Sequence, residues 1–176
     1  MMKKSLTKNA GLVNNYNGDE SKAIAVFRDA GVSGDVIFIQ RDDGKCDVRC
    51  RLIGFSPQLW GQKVGMHIHQ YGDISSGKGC ASVGSHYNPL GRDHGGHQGK
   101  DRHVGDLGNI AIRKDGSCWS VIKGAEINLG GRYGVVGRGL VIHAHPDDLG
   151  RGGDNESLKT GHSGERIGCA VIGWMK

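Results

Sequence analysis

All nine histidines fall between His67 and His162, and the first 66 residues contain none. Imidazole is the commonest protein ligand for transition metals, so this clustering raises metal binding as the first chemical question. His67 and His69 stand at i and i+2 in Gly65-Met66-His67-Ile68-His69. On a strand both would face one side, with Met66 and Ile68 on the other. Alone, H-x-H is a weak signal that many surface pairs share. Further along, His86, His94, His103 and Asp106 offer three nitrogens and one oxygen, the last two at the end of a glycine-rich loop. A closed four-donor set of this kind is how structural zinc is held. His143 ends the apolar run Leu140-Val141-Ile142. A single such histidine is more often a satisfied core residue than a ligand. The rival reading is a histidine-rich surface with incidental metal affinity. It leaves unexplained why His67, His69 and His143 sit inside strand-like apolar segments.

The elements that must position these residues are short. Apolar or alternating runs occur at 23–27, 35–40, 46–53, 64–69, 109–112, 119–122, 127–129, 140–143 and 169–174, most of them ending near Gly, Asp, Asn or Ser. Those are strand signals, and no window carries a capped helical stripe. The expected fold class is all-β: an eight-stranded, immunoglobulin-like Greek-key barrel or sandwich. Two long polar stretches, 70–106 and 144–168, interrupt the spacing, and loops of that length inside a compact domain are usually functional. Residues 1–20 read as a polar, poorly ordered extension and 21–176 as one domain.

Composition narrows the function. The 32 glycines lack a collagen period and suit many tight turns. The net charge of +5 is scattered, without basic runs interleaved with aromatics, which argues against nucleic-acid binding. No stretch of about 18 apolar residues exists to span a membrane, and the basic N-terminus lacks an apolar signal core, so a cytoplasmic chain is expected. Five cysteines, an odd number, do not make a secreted disulfide framework. Cys46 and Cys50 alternate with Asp47 and Arg49 as on a strand, which favours buried thiols over a metal pair.

These residues resemble the copper/zinc superoxide dismutase family from about Lys22 to Trp174. GMHIHQYGD at 65–73 and GHSGERIGCAVIG at 161–173 carry the resemblance most specifically. Between them, HYNPLGRDHGGHQGKDRHVGDLGN and LVIHAHPDDLGRGGDNESLKTG resemble the family's zinc loop and electrostatic loop. The resemblance implies copper ligands at His67, His69, His86 and His143, and zinc ligands at His86, His94, His103 and Asp106, so that His86 bridges both metals. It further implies that Asp147 links His69 and His94 behind the metals, and that Arg166 binds the anion. Lys159 and Thr160 would line the channel, Glu156 and Glu165 would shape its field, and Cys80 and Cys169 would form a disulfide. His97, His145 and His162 match no ligand position and are expected to face solvent. The loop after His69 is longer than is usual in the family.

The implied activity is disproportionation of superoxide, with His86 supplying a proton. A homodimer is implied, with Tyr71, the C-terminal strand and the longer loop near its interface, and a copper chaperone as a further partner. Two rivals compete. A non-enzymatic copper-binding scaffold of the same fold would lack part of the copper set or the arginine. A zinc hydrolase would need an open zinc position and a nearby general base.

Overall fold

Alternation along the short runs becomes eight strands: β1 (Lys22–Arg28), β2 (Ser33–Gln40), β3 (Cys46–Ile53), β4 (Lys63–His69), β5 (Asp106–Ala111), β6 (Cys118–Ala125), β7 (Gly139–His143) and β8 (Arg166–Trp174). The computed structural model describes residues 21–28, 31–76 and 79–176; the extension expected over 1–20 lies outside them. β3 shows the logic of the pattern. Cys46, Val48, Cys50 and Leu52 are buried while Arg49, Arg51 and Ile53 are exposed, as a period of two requires.

The strands form one antiparallel sheet in the order β5-β4-β7-β8-β1-β2-β3-β6. Its two end strands, β5 and β6, are consecutive in sequence and lie side by side, so the sheet is nearly closed into a barrel. Connections from β3 to β4 and from β6 to β7 cross between non-adjacent strands, giving the Greek key. Phe27, Phe38, Leu52, Met66, Ile68 and Ile142 fill the interior.

β4 and β7 are buried on both faces. Met66, Ile68, Leu140 and Ile142 point into the core. By alternation His67, His69, Val141 and His143 point out of the barrel, and they too are buried. The two long loops supply that outer cover. One of them contains the single short helix among the described residues, α1 (Ser157–Thr160). Two 3-10 turns, Pro57–Leu59 and Ala81–Val83, complete the elements that the strand pattern did not reveal. No described helix is long and apolar enough to cross a membrane.

Residues 127–129, expected as a strand, are not one. Ile127 and Leu129 are buried, which gives the alternation, but the segment pairs with its own loop and forms no ladder with a strand. Asn128 and Leu129 accept backbone hydrogen bonds from Val135 and Val136, and the Leu129 N–H donates to Gln40 Oε1 at 2.9 Å. Period-two burial therefore arises here from anchoring a loop against the core. Leu129→Ala should destabilise the protein by about 2–5 kcal/mol in urea unfolding, as a core truncation does. A change below about 0.5 kcal/mol, the level of a surface site, would contradict that anchoring.

Candidate metal centre

Two irregularities in the sheet set up the site. A register shift between Gly65 and His67 brings His67 opposite Asp106, at the start of β5. A second, between Ile142 and His143, brings His143 opposite Arg166. Bulges re-aim side chains in this way. His86 reaches the same place from the first long loop through an isolated bridge to His69. The rings crowd together: centroids lie 4.1 Å apart for His67 and His86, 4.9 Å for His67 and His143, and 5.0 Å for His69 and His86.

Each imidazole is tied on one nitrogen and free on the other. His69 Nδ1 lies 2.9 Å from the Gly84 carbonyl and His143 Nδ1 lies 3.1 Å from that of Gly164. Because a carbonyl only accepts, both rings carry the proton on Nδ1, and their Nε2 atoms, bare and 3.4 Å apart, face each other. His67 is reversed. Its Nε2 meets Asp147 Oδ2 at 2.8 Å, and its buried Nδ1 has no partner. Four donors, from His67, His69, His86 and His143, lie within 4.8 Å of one another.

The second set centres on Asp106. Its Oδ2 accepts from the backbone N–H groups of Gly95 and His103, at 3.0 and 2.8 Å. Its Oδ1 lies 3.2, 2.9 and 3.2 Å from Nδ1 of His86, His94 and His103. Neither His94 Nδ1 nor His103 Nδ1 makes a hydrogen bond there, although both are buried. Near approach without bonding geometry fits atoms that converge on a shared cation. The second four-donor group within 4.8 Å takes His67 with His86, His94 and Asp106; His103 stands outside it, its Nδ1 3.2 Å from Asp106 Oδ1.

Asp147 joins the two sets, but through a different histidine from the one expected. Its carboxylate accepts from His67 Nε2 and His94 Nε2, at 2.8 and 2.7 Å, and not from His69. The reason is local: His69 Nδ1 is already engaged by Gly84, whereas the shift at Gly65/His67 places His67 beside Asp106 and its partner His94. Gly161 permits this closeness, since a side chain there would collide with the Asp147 carboxylate, and its φ of 63° suits glycine.

Burial lowers the pKa of His69 to about 2, with repulsion from His86 adding to it. Burial, then His67, lowers His86 and His143 to about 3. These rings stay neutral, the state in which imidazole binds a metal. Burial also opposes the charge on His94, but the close approach of Asp106 and the hydrogen bond to Asp147 outweigh it and raise that ring to about 9. The two carboxylates lie below their usual range because hydrogen bonds from imidazoles overcome their burial. Two buried carboxylates share one cationic ring, His94, among neutral ones, which leaves a net negative charge, so the donor sets fit metal cations.

Above the rings lies an open cavity of about 690 Å³ lined by His69, His86, His143, Lys159, Thr160 and Arg166. Arg166 donates to the carbonyls of Cys80 and Gly84, each at 2.7 Å. Cys80 is disulfide-bonded to Cys169 on β8, which anchors that loop to the barrel. Sequence reasoning missed Asn109. Its side chain donates to the Asp147 carbonyl and accepts from the Asp147 N–H, both at 2.8 Å. Its polar type on a core strand was the available signal. Of the three histidines expected to face solvent, His145 does, His97 is half-buried, and exposed His162 bonds to Asp148.

Two outcomes follow from this wiring. Asp147→Asn should weaken metal retention about 10–100-fold in chelator competition; unchanged retention would remove its orienting role. For the metal-free chain, His69, His86 and His143 take up protons near 6.5 when unfolded but only near 2–3 when folded. The unfolded state therefore binds more protons between those values, and stability should fall as pH drops from 6.5 towards 3. Urea midpoints at pH 7, 5.5 and 4 test this, and a flat series would contradict it.

Comparison with known proteins agrees with this geometry. Residues 32–172 match the family model for copper/zinc superoxide dismutase (SODC). A superoxide dismutase [Cu-Zn] of Paramecium bursaria Chlorella virus 1 is 42% identical over 172 residues, covering 98% of this chain and 87% of the viral protein. The crystal structure of the clock protein EA4 is similar with a TM-score of 0.81 at 38% identity, over 91% of this chain and 99% of that one. The matched segment includes both donor sets, both long loops and Arg166, and the chain belongs to the copper/zinc superoxide dismutase family.

Proposed function

We propose that residues 21–176 form a catalytic domain that converts two superoxide anions and two protons into dioxygen and hydrogen peroxide on the cavity floor. The observation that carries this is the pair of donor groups sharing His67 and His86, one reaching the open cavity through His69 and His143 and one centred on Asp106. In this reading copper would be held by His67, His69, His86 and His143, whose donor atoms lie within 4.8 Å of one another. Zinc is held by Nδ1 of His86, His94 and His103 with Asp106 Oδ1. Bound copper supplies one-electron oxidation and reduction of superoxide, while zinc has no redox chemistry and supplies fixed charge.

The chain's own residues do the rest. Arg166 is fixed by the Cys80 and Gly84 carbonyls before substrate arrives, so its remaining N–H groups can bind the anion without reorganisation. Lys159 adds positive charge at the mouth and Thr160 narrows it; Thr160 Oγ1 bonds to Glu156 Oε1 at 2.7 Å. With Nδ1 of His86 facing Asp106, Nε2 would be the atom that takes up a proton when it is not engaged by copper and passes it to the peroxide. A scaffold that merely carried copper would have no use for an arginine fixed beside an open cavity.

We also propose a homodimer. Tyr71 and Ile74 of the first loop and Val171 of β8 expose apolar surface, and Tyr71 alone is 59% exposed. Cytoplasmic residence is supported by the three free thiols Cys46, Cys50 and Cys118, and copper delivery by a chaperone would suit a buried site.

The purified chain loaded with copper and zinc should remove superoxide rapidly, and the chain loaded with zinc alone should not. No loss above free copper, with both metals bound, would sink the dismutase reading. Arg166→Ala should lower the rate about tenfold and flatten its dependence on salt at unchanged metal content. A variant with the original rate at low salt would remove Arg166 from substrate binding. Sedimentation should give twice the chain mass, and Tyr71→Asp should shift it towards one; a monomeric parent chain would refute the dimer.

A further inference from the structure

His162 has no part in either donor set, yet three segments of the second loop meet on its ring. Nδ1 lies 2.6 Å from Asp148 Oδ2, and Nε2 lies 3.3 Å from Asp154 Oδ1. Asp148 also accepts from Ser157 Oγ, at 2.8 Å, and from the Gly150 N–H. Asp154 accepts from the N–H groups of Glu156 and Ser157, at 3.0 and 2.9 Å, and so starts α1. The Asp148 N–H donates to the Gly161 carbonyl at 2.9 Å, closing the loop upon itself. His162 pays for its place with a φ of 50°, a conformation that side chains other than glycine rarely adopt. The ring lines the same cavity as Lys159, Thr160 and Arg166.

An imidazole that donates to one carboxylate and lies within ion-pair distance of a second is stabilised in its doubly protonated, positively charged form. We propose that His162, as an imidazolium spanning Asp148 and Asp154, is a positioning residue for the anionic substrate. It pins the helical turn bearing Lys159 and Thr160, and it offsets two carboxylates just behind the wall of a cavity that must admit an anion. For its substrate the inference rests on the dismutase reading; for the clamp it does not.

The charged groups facing the ring are Asp148 and Asp154, with Glu156 at the N-cap of α1. The hydrogen bond to Asp148 raises the pKa of His162 above 6.5, burial opposes it weakly, and the charges of Asp154, Asp148 and Glu156 add to the rise. Loss of the proton removes one positive charge from the mouth and turns a bare nitrogen towards a carboxylate. The encounter rate should therefore fall in a step above pH 6.5, at the pH where His162 itself loses its proton.

Two measurements on the full chain test this. In the copper(I)/zinc form, nitrogen-15 spectra should show both His162 nitrogens protonated at pH 6.5, with titration above it. Rates of superoxide loss at low ionic strength, from pH 5.5 to 9.5, should step down at that same pH. His162→Gln should lack the step and stay about threefold lower throughout, whereas His162→Arg should keep the higher rate across the range. A His162 ring carrying one proton at pH 6.5, or a Gln variant whose profile overlays the parent's, would overturn the proposal. A chain inactive with both metals bound would overturn the dismutase reading and with it the substrate. The clamp would then stand or fall on the His162 titration, which needs no substrate.

Discussion

Asp147 carries a buried negative charge with no solvent to share it, and four groups hold it in place. His67 and His94 donate to its two oxygens, the Leu149 N–H donates to Oδ1 at 2.7 Å, and Asn109 fixes its main chain to β5. An ionised carboxylate at such depth costs several kcal/mol unless it is fully bonded. The cheapest way to satisfy it is the arrangement seen, which orients one ring from each donor set and draws the second long loop down onto the barrel wall. Loop closure, ring tautomers and the spacing of the two sets are thus consequences of one buried anion. Gly161 belongs to the same constraint, because a side chain there would push the carboxylate away.

The barrel contributes stiffness and shape more than chemistry. Its interior is apolar, and the reacting groups stand on its outer surface, where β4 and β7 would otherwise face water. Positions 67, 69 and 143 are rigid because each has core residues as chain neighbours. The loops bring the less constrained donors, and they are themselves held by backbone carbonyls: Gly84 receives both His69 and Arg166. A single peptide group therefore sets the orientation of a ring on the cavity floor and of the guanidinium beside it.

Much of this was legible in the sequence because it depends on alternation and residue type. The period of two around Met66 and Ile68 put His67 and His69 on one face, and the bunching of histidines marked the two loops. The partner of Asp147 was misread because His67 and His69 share that face, and only a shift in strand register distinguishes them. Bulges have no residue signature in these segments. The carbonyls of Gly84 and Gly164 escaped notice because every residue has one, so side-chain type says nothing about which will be used. Residues 127–129 misled for the opposite reason: alternate burial was real, but a loop anchored to the core produced it.

The sulfur atoms are partitioned by the barrel wall. Cys46, Cys50 and Cys118 lie in the interior cluster, and burial pushes all three thiols up, Cys46 to about 12. Cys80 and Cys169 are paired on the far side, packed with Val83 and Val141. Exchange between a thiol and a disulfide requires a thiolate in line with a sulfur–sulfur bond. Here the thiols are held neutral, with a sheet between them and the bond, so bridge shuffling must wait until the barrel itself opens.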